Sequence, residues 1–144
     1  MNGMMRAAVL TNFLDVARDL GGNPAELLRD ARLSRAVLEN PDQRIASDTA
    51  VALLEAAAQA TACDTFGLRM AESRQLSHMG VVSLLITHQP TLRDALVTTI
   101  QYRHLLNSSL AMRIEDDGEW VNVREEVVTD RPSRQATELA LAVL

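Results

Sequence analysis

The chain is predicted to be α+β, with a mostly helical N-terminal two thirds followed by an antiparallel β-hairpin and a C-terminal helix. Three observations carry this. Apolar residues recur at intervals of three and four as far as Leu106, the pattern switches to strict alternation after Asn107, and helical spacing resumes after Pro132. The 144 residues suit one domain, a length that buries about two thirds of the unfolded surface.

Residues 4 to 20 place Val9, Leu10, Phe13, Val16, Ala17 and Leu20 on one helical face, and Gly21-Gly22 ends the run. A second helix is expected from Pro24 to about Ala31, with Asn23 as its cap and Glu26 near the positive end of its dipole. Ser34 then caps one further helical turn, Pro41 stops it, and Arg44-Ile45 continues extended. Ser47 is read as the cap of a helix over residues 48 to 62, whose alanines permit close packing.

Asp64 opens a short helix burying Phe66, Leu68 and Met70. MGVVSLLITH is apolar nearly all round, which predicts a helix crossing the core. After Pro90, Thr91 and Asp94 resemble a capping box for a helix with the inner stripe Leu92, Ala95, Leu96, Thr99 and Ile100. In the hairpin, Leu110, Met112 and Ile114 share a strand face, and Asp117-Gly118 reads as a two-residue turn pairing Ile114 with Val121 and Met112 with Val123. Trp120 then opposes Glu115 and is expected to bury against another element. A lone hairpin is marginal in water, so it must pack on the helices or be joined by further strands. The last helix carries Ala136, Leu139, Ala140 and Val143 and runs uncapped into the chain end, so the domain is expected to be truncated.

Composition excludes several function classes. The net charge of −5 works against this segment holding nucleic acid by itself. All fourteen basic residues are arginine, which removes Schiff bases, P-loops and lysine general bases. Cys63 is the single cysteine, so it makes no internal disulfide. The N-terminal stretch carries Arg6, Asp15 and Arg18 and lacks a small-residue cleavage site, and no apolar run reaches the roughly 18 residues of a membrane span. A cytoplasmic protein with no membrane partner is expected.

No catalytic constellation emerges. His78, His88 and His104 have no motif around a nucleophile and no metal-ligand spacing, so neither a catalytic role nor a metal or cofactor is expected. Glu115, Asp116, Asp117 and Glu119 straddle a tight turn and read as a solvated hairpin tip rather than a calcium loop. Glu125 and Glu126 are adjacent on a strand and therefore face opposite ways. One group is more suggestive: the stripe ending at Ile100 runs into Arg103 and His104, which with Tyr102 could line a pocket for an anionic or hydrogen-bonding ligand. The alternative is that Arg103 snorkels to water or pairs with a local carboxylate.

Taken in order, NPAELLRDARLSRAVLENPDQRI, DTFGLRMAE, MGVVSLLITHQPTLRDAL and QYRHLL resemble the N-terminal arabinose-binding-type domain of AraC/XylS-family regulators, over about residues 5 to 144. The most specific matches are Asn23-Pro24, Leu38 with Pro41-Asp42 and Arg44-Ile45, Phe66-Gly67-Leu68, Gly80 with Pro90-Thr91-Leu92-Arg93-Asp94-Ala95-Leu96, and Tyr102-Arg103. The resemblance implies a bacterial, cytoplasmic, non-enzymatic regulator that dimerises through this half, senses a small-molecule effector, and contacts DNA through helix-turn-helix motifs in a C-terminal half absent from this chain. It does not imply which effector, and no binding residue transfers by motif. The competing readings are a dimerisation module without effector and, from another class, a small hydrolase or isomerase using His104 or His88.

Overall fold

The computed structural model describes residues 3–144. Its centre is helix α4 (Ser47–Ala60), whose Ala50, Val51, Leu53, Leu54, Ala57 and Ala58 are all buried. Around it stand α1 (Phe13–Asp19), α2 (Pro24–Asp30), α5 (Phe66–Ala71) and α8 (Arg134–Val143), which contribute Phe13, Ala17, Leu27, Leu28, Phe66, Met70, Ala136 and Leu139 to one core, while α3 (Arg35–Glu39) adds only the partly buried Val37 and Leu38. Phe13 and Phe66 are fully buried and meet edge to face, with ring centroids 5.8 Å apart, the arrangement their quadrupoles favour. Burial of side chains this size stabilises the fold by about 1.5–3 kcal/mol each.

Two antiparallel strand pairs complete the α+β architecture. One joins β1 (Met4–Arg6) to β2 (Arg44–Ala46), with Met5 opposite Ile45; the other is the hairpin of β3 (Leu110–Asp116) and β4 (Val121–Val127). An isolated bridge from Met5 to Asn107 and a hydrogen bond from Ser108 N to the Met4 carbonyl connect the two. Helices α6 (Val81–Thr87) and α7 (Leu92–Leu106) pack against each other beside the hairpin.

Local chemistry explains three helix starts. The Asn23 side chain accepts from Glu26 N and Pro24 fills the first turn of α2; Thr91 accepts from Asp94 N at α7; Ser133 accepts from Ala136 N at α8. Ser47, expected as a cap, is instead the first residue of α4, and its buried hydroxyl accepts from Ser109 Oγ at 2.8 Å.

Several local expectations are corrected. Residues 4 to 20 do not form one helix: β1 and a 3₁₀ turn (Ala7–Leu10) precede α1, separated from it by Asn12 at φ 68°. Pairing with β2 and Asn107 satisfies the Met4–Arg6 backbone, and asparagine tolerates the left-handed conformation that breaks the helical run. Helix α6 does not cross the core. It is seven residues long and only Val82 is buried, while Val81, Leu84 and Leu85 are exposed because, among the described residues, α6 packs mainly against α7 and a second 3₁₀ turn (Leu76–Met79). Leu92, expected on an inner stripe, is exposed at the first turn of α7, and Leu68, expected to be buried, is exposed on α5, where Phe66, Gly67 and Met70 take the inner face.

The hairpin register is shifted by two residues. Asp116 pairs with Val121, Ile114 with Val123, Met112 with Glu125 and Leu110 with Val127, around a four-residue loop rather than a two-residue turn. Aspartates hold that loop open: Asp116 Oδ1 accepts from Gly118 N, and Asp117 Oδ1 accepts from both Glu119 N and Trp120 N. A shift of two preserves the faces, since strand side chains alternate with period 2. Trp120, expected to be buried, sits in the loop and is 68% exposed.

Candidate functional site

Between α4, α7, α8, the 3₁₀ turn and the inner face of the hairpin lies a cavity of about 250 Å³. Its wall is largely apolar, from Met5, Val9, Val51, Leu54, Leu96, Leu110, Met112, Val127, Leu139 and Val143 among others. Exposed Leu92 and Leu144 also line it, so it reaches the surface. Such a space suits a small, mainly apolar molecule oriented by a few polar groups.

Those polar groups differ in how well they are satisfied. Arg6 donates through Nε and a terminal nitrogen to Asp42 Oδ1, at 2.9 and 2.6 Å, and to the His78 carbonyl at 3.0 Å. His78 accepts from Gln75 N through Nδ1 in a reciprocal cap. Arg74 donates to the carbonyls of Ala8 and Val9, its Nε has no partner, and burial lowers its pKa to about 10, so it remains charged at neutral pH. Glu125 stands on β4 between Val123 and Val127 of the same face and opposite Met112. Its Oε2 is buried without a partner, and desolvation raises its pKa above the ordinary carboxyl range.

Tyr102, Arg103 and His104, expected at a ligand, do not line this cavity. Arg103 is half-buried and donates to the carbonyls of Leu110 at 3.2 Å and Ile100 at 2.8 Å, tying the end of α7 to the start of β3. Tyr102 is half-buried and the His104 side chain is exposed. The His104 carbonyl accepts from Arg44, a cation at the negative end of the α7 dipole. The group therefore shares a helix end without converging on an enclosed space. Among the described residues, no three His, Cys, Asp or Glu side chains are placed to hold a metal ion, and no helix is long and apolar enough to cross a membrane.

Glu125 was legible as a signal that went unused: an acid alternating in phase with valines falls on the apolar strand face. Arg74 carried no such signal, because its burial depends on the 3₁₀ turn folding over it.

The helix-and-hairpin architecture and its apolar cavity define a domain able to enclose a small molecule. The family model described as "Arabinose-binding domain of AraC transcription regulator, N-term" matches residues 21–144, and the chain belongs to this family. Among curated proteins it is similar to the HTH-type transcriptional regulator VirS of Mycobacterium tuberculosis, in strains CDC 1551 / Oshkosh and ATCC 25618 / H37Rv, with 27% identity over 124 residues in each. The match covers 86% of this chain and 36% of those relatives, so the chain spans well under half of their length.

Proposed function

We propose that this chain is the effector-sensing and dimerisation domain of a cytoplasmic AraC-type transcription regulator, without catalytic activity of its own. The observation that carries the reading is the apolar cavity of about 250 Å³, open to the surface, in a domain of this regulator family. A ligand there touches α8 through Leu139, Ala140 and Val143 and the hairpin through Met112 and Val127, so occupancy couples to the placement of the last helix. Coupling of that kind requires the ligand to bind one placement better than another. DNA contact is assigned to helix-turn-helix motifs elsewhere in the full protein, as the name of its relatives suggests and as the net charge of −5 favours.

A thermal-shift screen against a metabolite panel tests effector binding: a ligand at a hundred times its Kd adds about 2.7 kcal/mol of stability. No shift across a broad panel favours a dimerisation module without effector. Exposed Val81 and Leu84 on α6, each 62% accessible, support self-association, and Leu84→Arg is expected to shift a dimer to monomer in light scattering. A ligand role for Tyr102, Arg103 and His104 requires a site outside the cavity. Alanine variants that leave an effector-induced shift unchanged exclude it. A gel shift in which the full-length protein binds DNA and this chain does not completes the assignment.

A further inference from the structure

The Glu125 carboxylate sets the chemistry of the molecule that fills the cavity. Several charged groups nearby have found countercharges. Arg6 is paired with Asp42 at 2.6 Å, and on the hairpin Glu115 receives Arg113 at 2.7 Å and Arg124 at 3.0 Å. Among the described residues, no hydrogen bond or ion pair reaches Glu125, although Oε2 is fully shielded from water. Its place follows from the register, which puts an acid opposite Met112 on the face that β4 turns to Leu54, Leu96 and Leu139 across the cavity.

Glu125 is half-buried with Oε2 shielded and unpartnered, so its ionised form is disfavoured in the empty domain; protonation removes the charge, whereas a cationic donor stabilises the ionised form. A hydroxyl supplies the donor without the charge. A carboxylate is repelled by Glu125, and Arg74 already donates one N–H from each terminal nitrogen to the carbonyls of Ala8 and Val9. We propose that the cavity takes a small, mainly apolar molecule bearing one protonated amine, with an N–H donated to Glu125 Oε2. This rests on the effector reading above and specifies its ligand class.

Three probes with one body and different heads test it by calorimetry and thermal shift on the purified chain: cyclohexylmethylamine, cyclohexylmethanol and cyclohexanecarboxylate. The amine is expected to bind about tenfold or more tighter than the alcohol, the gain of a charge-assisted hydrogen bond. Glu125→Gln is expected to erase that advantage while leaving the alcohol's binding unchanged, and Glu126→Gln on the opposite face to leave both unchanged. Equal binding of amine and alcohol, or tightest binding of the carboxylate, overturns the amine assignment while the cavity still takes a ligand. Silence from all three probes also overturns it, and the effector reading is then judged separately by the metabolite screen. The ranking on the unaltered chain needs no variant, so a folding defect in Glu125→Gln does not rescue the proposal.

Discussion

Helix α8 carries part of the cavity wall, and its docking depends on the absence of one methyl group. A Cβ added at Gly67 would lie 2.2 Å from the Gln135 carbonyl oxygen and 3.0 Å from its carbonyl carbon, both backbone atoms. No rotamer change relieves that overlap, so in Gly67→Ala α8 must retreat by about 1 Å to restore ordinary contact. Retreat also strains the buried bond from Gly67 N to Gln135 Oε1 at 2.8 Å and the bonds from Ser133 Oγ and Gln135 N to Glu55 Oε1. Overpacking costs about 1–3 kcal/mol and an orphaned buried donor about as much again, against a helix-propensity gain of about 1 kcal/mol. The expected net loss is about 3 kcal/mol, read as a fall in Tm of about 10 °C and a lower urea midpoint with unchanged slope. Gln135→Ala removes the hydrogen bond without touching the steric overlap. The double variant should therefore lose less than the sum of the two single changes. A Gly67→Ala chain within about 0.5 kcal/mol of the parent, below the usual effect of a core change, would refute the close contact of α5 and α8.

Three further outcomes are expected. Because burial raises the folded-state pKa of Glu125, its favourable contribution is present below the ordinary carboxyl range and is lost as pH rises through the raised value, so Glu125→Gln should flatten that part of a stability-against-pH curve and be no less stable than the parent at neutral pH. Asp116 shifts the other way, lowered first by the Gly118 amide and then by Arg93, so its contribution is lost as pH falls through the lowered value; Arg93→Ala should move the Asp116 titration, followed by NMR, part of the way back toward 3.8. Gly80→Ala forces a side chain into φ 61° with its Cβ 2.6 Å from an Arg6 terminal nitrogen, and should cost about 1–3 kcal/mol in chemical denaturation, whereas Gly21→Ala, also at positive φ but with open space around it, should cost less.

Much of the architecture was legible without coordinates because it rests on short-range chemistry. Asn23-Pro24, Thr91 with Asp94, and Ser133 ahead of Ala136 each supply a donor or acceptor within one helical turn, and the alternation of Leu110, Met112 and Ile114 sets the strand faces whatever the register. The family was legible for the same reason, since its motifs are caps, helix starts and the close approach at Gly67. Tertiary structure decided what depends on partners distant in the chain. Met4–Arg6 became a strand because Arg44–Ala46 and Asn107 were there to pair with it, and α6 stayed outside because the core was already filled by α4 and its neighbours. The hairpin loop grew by two residues because aspartate side chains could bond its amides, a competition that turn propensity alone does not rank. The candidate site belongs to this second class. Glu125 and Arg74 line one cavity only after the Ala7–Leu10 turn, α4, α8 and the hairpin assemble, and burial of their polar atoms is a property of that assembly and of no segment by itself.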